Sequence, residues 1–295
     1  MLLPAPAEWY VYREVIEMSN QSRDAEYTMG RSQEETDRLI EQSQLYEDVT
    51  RRFFLRSGIA KGMKVLDVGS GAGDVALTLA EFVGPDGIVV GVDLNPDILK
   101  TAQARADAAG FSNIEFIAGD TRTLELPNDF DAVVGRLVLM YMADPAEALK
   151  HLATHLRPSG IAAFQEAYFA PYTVAEHPDT PLANELIKWG RTVFERSGAH
   201  LDMGVELYQA FVDAGLPEPT LHFEAPMGGP VNWSGYEYLA NSFRSLVPLL
   251  EAYGITTAEE LDVDTLAERI QAEVAAAKRP IMLPPHITAY ATLAS

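Results

Sequence analysis

Val65-Leu66-Asp67-Val68-Gly69-Ser70-Gly71-Ala72-Gly73-Asp74 is a short apolar run that closes on an acid and then breaks into three alternate glycines. Downstream, the apolar run Ile88-Val89-Val90-Gly91-Val92 ends in Asp93. Strand, glycine turn, helix, strand, acid is the front half of a nucleotide-binding α/β unit. Glycines at such a turn permit backbone angles closed to other residues and let the main chain approach a ligand. The function class this implies is chemistry on an adenosine-containing cofactor.

Working outward, the α/β alternation continues. The pattern predicts strands at 64–68, 88–93, 113–117, 129–134 and 161–165, with helices at about 73–83, 96–109 and 145–156 between them. Asp144-Pro145 reads as an N-cap followed by proline at the first helical position. Gly84-Pro85-Asp86-Gly87 and Arg157-Pro158-Ser159-Gly160 read as turns. Upstream, residues 8–19 carry a mixed helical pattern and 20–32 a polar loop. Residues 33–56 form an amphipathic helix with Leu39, Tyr46, Val49 and Phe53 on one face, stopped by Gly58. Beyond strand 5 the chain leaves the sheet: a loop from Pro171 to Pro181, a helix at 182–196, a returning helix at 204–214 and a strand at 220–224. Residues 232–279 predict two or three helices, one opened by a Thr257/Glu260 capping box and one stacking Leu266, Ile270 and Val274. A final strand, at 286–293, is a candidate for antiparallel pairing.

The chain has 295 residues, 47% of them apolar, enough for a sizeable core. Its net charge of −21 repels phosphate backbones and anionic membranes, so neither nucleic acid nor membrane is an expected partner. With 0 cysteines there is no disulfide, thiolate nucleophile or Cys-ligated zinc, and no metal site is expected. Neither a signal segment nor a membrane-length apolar stretch is visible, which points to the cytoplasm.

Two cofactor classes share these features. A nicotinamide-binding domain also has glycines after strand 1 and an acid after strand 2. Against it, Asp74 stands where the dinucleotide fingerprint wants Gly or Ala, and Asp67 places an anion beside the turn. An anion there disfavours a pyrophosphate and favours a cationic ligand such as an α-amino group. Asp93 is placed to accept ribose hydroxyls, and Asp120 an adenine amino group.

Asp67-Val68-Gly69-Ser70-Gly71-Ala72-Gly73, Val92-Asp93, Gly119-Asp120 and Leu156-Arg157-Pro158-Ser159-Gly160 together resemble the ordered motifs of class I S-adenosylmethionine-dependent methyltransferases, over residues 60–166. The likeness is to the small-molecule branch that includes the ubiquinone/menaquinone-type enzymes. It implies a Rossmann-like, doubly wound, seven-stranded, mostly parallel sheet with a helical N-terminal extension (1–57) and helical lid insertions (167–202 and 231–284). The core would occupy 58–166 and 203–230, with the last strand in 285–295. By the same resemblance Asp67, Gly69, Ser70, Gly71 and Gly73 hold the methionine end, Asp93 and Leu94 the ribose, and Gly119, Asp120 and Thr121 the adenine. Arg136 would line the sulfonium side, and Tyr27, Arg31 and Gln42 would reach the methionine carboxylate. The chain lacks the Asn/Asp-Pro-Pro-Tyr motif after strand 4, the cysteines of arsenic methyltransferases, and an acidic triad of the magnesium-dependent catechol type.

Methyl transfer from a sulfonium requires mainly that the acceptor be positioned. Glu166, after strand 5, is the candidate general base, with Tyr141 and Tyr168 as orienting groups. Trp189, Trp233 and Phe243 are candidates for an aromatic pocket over a small organic acceptor, with O-, N- and C-methylation all open. His151 and His155 lie four apart but lack a third ligand. His177 and His200 are weaker base candidates, and His222 and His286 read as structural. A dinucleotide oxidoreductase and a non-catalytic cofactor-binding protein are the rival readings, and a homodimer is compatible with all three. Asp93→Ala should weaken S-adenosylhomocysteine binding by roughly 1–3 kcal/mol through loss of a charged acceptor; unchanged affinity in calorimetry would put the ribose assignment in error.

Overall fold

The computed structural model describes residues 33–170, 177–229 and 233–294, with side chains from Arg38 onward. Tyr27, Arg31, the segments 8–19 and 20–32 and most of the loop 171–181 lie outside the described residues.

Helix α1 (Gln33–Ser57) leads into β1 (Lys64–Val68), α2 (Asp74–Val83), β2 (Ile88–Asp93), α3 (Pro96–Ala108), β3 (Ile114–Ala118), β4 (Phe130–Arg136), α4 (Pro145–Ala153) and β5 (Leu156–Ala167). Then follow α5 (Pro181–Arg196), α6 (Met203–Asp213), β6 (Thr220–Glu224), α7 (Gly235–Ala252), α8 (Ala258–Leu261), α9 (Val263–Ala277) and β7 (His286–Thr292). These seven strands form one sheet in the order β3-β2-β1-β4-β5-β7-β6. The first five are mutually parallel, and β7 runs antiparallel between β5 and β6. A short pairing of Met227–Gly228 with Ile281–Met282 stands apart.

The local signals hold where they are chemical. Asn95 and Asp144 accept the N–H groups of Asp97 and Glu147 at 3.0 and 2.9 Å, each followed by a proline at the helix start. Both halves of the Thr257/Glu260 capping box are formed. Gly58 ends α1 at φ 87°, a left-handed angle that a side chain resists. Two expected boundaries are corrected. The helix after Asp144 stops at Ala153 rather than Leu156, and β4 runs on to Arg136. Arg157–Gly160 loops out as an irregularity within β5: Phe130 pairs with Leu156 and Ala132 with Ile161.

Strand residues alternate between two cores, which makes the sheet doubly wound. Val65, Val89, Ala132, Val134 and Ala163 pack with α2 and with Phe53 and Phe54 of α1. Leu66, Val90, Val133, Phe164 and Ala289 pack with α4 and α6. A third cluster unites Tyr46 with Leu186 of α5, Phe243 of α7, and Leu266, Ile270 and Val274 of α9. So α1 serves two layers, the sheet through its C-terminal phenylalanines and the helical layer through Tyr46. Phe164 is 0% exposed, meets Phe211 edge-on with ring centroids 6.3 Å apart, and fills the space over Gly135, where a Cβ would come within 2.6 Å of its ring. Phe164→Ala should therefore cost about 3–5 kcal/mol, read as a lower urea midpoint; a loss under 1 kcal/mol would mean that the β4–β5 face closes over the cavity left behind.

Candidate functional site

A cavity of about 410 Å³ opens where the glycine turn meets the helical layer. Its floor is made by Val68–Ala72, Asp93–Asn95, Gly119–Arg122 and Arg136–Val138 from the carboxyl ends of β1 to β4. Its far wall comes from α1, α5, α7 and the start of β7.

The glycine turn is fixed from both sides. Gly69, Gly71 and Gly73 all have positive φ (69°, 52° and 85°). At Gly71 a Cβ would meet nothing within 4 Å, so the constraint there is the backbone angle, and the space beside it is open for a ligand. Asp74, which departs from the dinucleotide fingerprint, is buried and ion-paired to Arg105 of α3 at 2.7 Å. The same guanidinium donates to the Ala72 carbonyl, so Arg105 ties the turn to α3.

Asp67 lies directly behind this wall, 1% exposed. Its Oδ2 accepts the Ser70 hydroxyl at 2.7 Å, while Oδ1 is buried and has no partner among the described residues. Burial pushes its carboxyl up to about 7, with the Ser70 hydrogen bond and the Arg136 charge pulling the other way. Such an orphaned lone pair beneath a turn suits an ammonium. Asp93 is held rigidly: Oδ2 accepts Gly71 N–H at 2.9 Å and Oδ1 accepts Asn95 N–H at 2.8 Å. Each oxygen keeps a lone pair for one of two vicinal hydroxyls. Leu94 and Thr121 reach the wall beside it. Asp120 also reaches the wall, but the Arg122 guanidinium grips both its oxygens at 2.9 and 2.6 Å and holds its carboxyl below the usual range, leaving Oδ2 one spare lone pair. Gln42, on the facing helix, donates to Tyr238 Oη at 2.9 Å.

The acceptor-side expectations fare unevenly. Tyr141 and Phe243 line the cavity. Glu166 does not. It is 0% exposed, and its Oε1 accepts Val138 N–H at 3.0 Å and Leu139 N–H at 2.8 Å. It caps a 3₁₀ turn, Leu139–Tyr141, whose approach runs through Leu137 at φ 55°. The neighbouring Val138 presses on the turn: a Cβ at Gly69 would come within 2.7 Å of it. Glu166 therefore shapes the wall from behind. Tyr168 packs into the core beneath the sheet, and Trp189 and Trp233 pack within the helical layer, Trp233 edge-on to Tyr236. His155 is a buried residue bonded to the Pro127 carbonyl, 3.2 Å away, with no place on the cavity wall. His286, expected to be structural, lines the cavity. Its signal was unreadable in sequence because its partners, Tyr46 and Gln165, are far away along the chain.

The profile of a family described as "methyltransferase domain" matches residues 59–214, more than half of the chain. The demethylmenaquinone methyltransferase of Geobacillus kaustophilus is 36% identical over 116 residues, covering 39% of this chain and 48% of the relative. The ubiquinone/menaquinone biosynthesis C-methyltransferase UbiE of Pseudomonas putida (strain W619) is 32% identical over 187 residues, covering 58% and 72%. The chain thus spans about half the length of the first of these relatives. Among solved structures, a phosphoethanolamine N-methyltransferase of Haemonchus contortus in complex with S-adenosyl-L-methionine aligns with a TM-score of 0.54 at 16% identity, over 84% of this chain and 53% of that one. The [4+2]-cyclase SpnF aligns over 100% of both chains with a TM-score of 0.50 at 17% identity. At these identities the structural likeness shows the fold alone.

The buried acids give the site a pH signature. Glu166 is pushed up to about 7 by burial, against its ordinary 4.5. Between those values the folded protein keeps a proton that the unfolded chain releases, so this group's contribution to stability is full below pH 4.5 and is lost as pH rises towards 7. Glu166→Gln should make the fall in unfolding free energy shallower by about 1 kcal/mol per pH unit between pH 5 and 7. Parallel slopes for the two proteins in urea titrations would show that the carboxyl is ionised throughout.

Proposed function

Because the chain belongs to the class I S-adenosylmethionine-dependent methyltransferases, we propose that it moves the methyl group of S-adenosylmethionine to a small, largely apolar acceptor, such as an aromatic specialised metabolite. The observation that carries this reading is the pairing of an orphaned buried carboxylate oxygen at Asp67 with a rigidly oriented Asp93, on either side of an open turn at Gly71. The cofactor, when bound, supplies an electrophilic methyl on a sulfonium. Asp67, through its free oxygen and Ser70, would favour the methionine ammonium. Asp93 would take the ribose hydroxyls, and Asp120 with Thr121 the adenine edge. Arg136 and Gln42 are the described candidates for the methionine carboxylate.

Beyond the cofactor end, Ala183, Leu186, Ile187, Phe194, Phe243 and Leu246 give the cavity an apolar wall. Carboxylates on the cavity wall are Asp74, Asp93 and Asp120, all on the cofactor side, among the described residues. With Glu166 turned away, catalysis rests on orientation and exclusion of water rather than on a carboxylate base. This fits an acceptor that carries its own nucleophilic electron pair. A cytoplasmic enzyme, alone or as a homodimer and without nucleic-acid or membrane partners, completes the reading. It accords with the net charge of −21 and with the absence, among the described residues, of a helix long and apolar enough to cross a membrane.

Titration of the full chain with S-adenosylhomocysteine and with NADH tests the cofactor half: binding of the nicotinamide alone would sink it. With an acceptor that turns over, Phe243→Ala should raise KM about tenfold, the equivalent of roughly 1.4 kcal/mol of lost apolar contact, and leave the affinity for S-adenosylhomocysteine unchanged. Trp233→Ala, away from the cavity, should leave KM alone and lower thermal stability. An equal loss of cofactor affinity in Phe243→Ala would remove it from the acceptor wall.

A further inference from the structure

His286 opens β7 with its residue only 2% exposed. The ring lies flat against Tyr46, centroids 4.0 Å apart and planes 9° from parallel. Tyr46 is itself pinned, its hydroxyl donating to the Pro284 carbonyl at 2.8 Å. One ring nitrogen is committed, since the Gln165 amide Nε2 lies 2.8 Å from Nδ1. The direction of that bond is set upstream. Arg136 has donors only, and its Nη1 reaches Thr50 Oγ1 at 3.4 Å. The Thr50 hydroxyl in turn donates to Gln165 Oε1 at 3.1 Å. Gln165 is then left with its N–H group facing Nδ1, so the neutral imidazole carries its proton on Nε2. Burial, reinforced by the Arg136 charge, pushes the imidazole down to about 3, so the ring stays neutral. Nε2 is bonded to no described residue and is not among the fully enclosed atoms lacking a partner, while His286 forms part of the cavity wall.

We infer that His286 is a specificity-determining residue whose Nε2–H binds an oxygen of the acceptor, selecting a phenol, quinol or carbonyl group on an otherwise apolar body. This rests on reading the cavity as an acceptor site. A lone N–H in an apolar wall rewards an oxygen lone pair and is left unsatisfied by a hydrocarbon. It also opposes an ammonium, whose protons would face another donor with the Arg136 charge close behind. The relay runs from Arg136, beside Asp67, to the acceptor end, so groups at the two ends of the cavity share one set of hydrogen bonds.

The test uses the full chain saturated with S-adenosylhomocysteine and three probes on one bicyclic frame: 2-naphthol, 2-methylnaphthalene and (2-naphthylmethyl)ammonium. By calorimetry or fluorescence, 2-naphthol should bind at least tenfold more tightly than 2-methylnaphthalene, with the ammonium weakest. His286→Phe keeps a ring against Tyr46 and removes the N–H; it should abolish the tenfold preference and leave the hydrocarbon's affinity within twofold. Independently of any variant, ¹⁵N NMR of the histidine-labelled wild type should show the Nε2–H form of His286 from pH 6 to 8, shifting when 2-naphthol is added. If S-adenosylhomocysteine binds but naphthol and methylnaphthalene bind alike, or none of the probes binds, the inference falls. It falls equally if the Nδ1–H form is found or if the preference survives in His286→Phe. Failure of S-adenosylhomocysteine itself to bind would instead overturn the methyltransferase reading.

Discussion

Strand β1 is hydrogen-bonded in parallel to β2 on one side and to β4 on the other. The chain leaving β1 and the chain leaving β4 must therefore diverge, and a crevice opens between their carboxyl ends. The site depends on that divergence. The glycine turn bounds the β1 side, and Leu137–Tyr141 bounds the β4 side. Because the crevice is a product of topology, it needs only to be kept from collapsing. Two polar clamps serve this end, Arg105 with the buried Asp74 on one flank and Glu166 with the 138–139 amides on the other. Each clamp fixes one wall of the crevice.

The charge distribution follows the same division. The molecule is strongly anionic, but its cavity is segregated. Acids gather at the end where a cation and a diol would bind. On the far side the His286 imidazole and the Tyr46 and Tyr238 phenols stand among aliphatic walls, and Arg136 lies between the two ends. Arg136 is the hinge of this arrangement, its field felt at Asp67 in one direction and at His286 in the other. An ordinary solvated surface charge would not act at both places; burial is what extends its reach.

What could be read from sequence was what short-range chemistry dictates. The turn glycines, Asp93, the cap at Asp144 and the Thr257 capping box each need only neighbours within a few residues, so their patterns survive in one dimension. Helical periodicity likewise located the buried ridge of Leu266, Ile270 and Val274. It could not say which aromatics of the helical layer face a cavity and which face another helix. Phe243 and Trp233, ten residues apart on the same excursion, differ in that respect. Glu166 was placed at the right strand end, but its direction depended on amides 27 and 28 residues earlier. His286 depended on Gln165, 121 residues away. Contacts of that span are set by the order of strands, which no local pattern encodes.

The antiparallel position of β7 has a consequence for how the chain reaches this state. Strand β6 joins the sheet through β7 alone, and β7 lies between it and β5. During synthesis β5 and β6 are therefore both complete before the segment that unites them exists. Until it arrives, β5 presents a bare backbone edge, open to pairing with another nascent chain. The segment that unites them also delivers His286. The polar wall of the cavity and the closed sheet are thus completed in a single docking event, and a chain that stalls short of it lacks both.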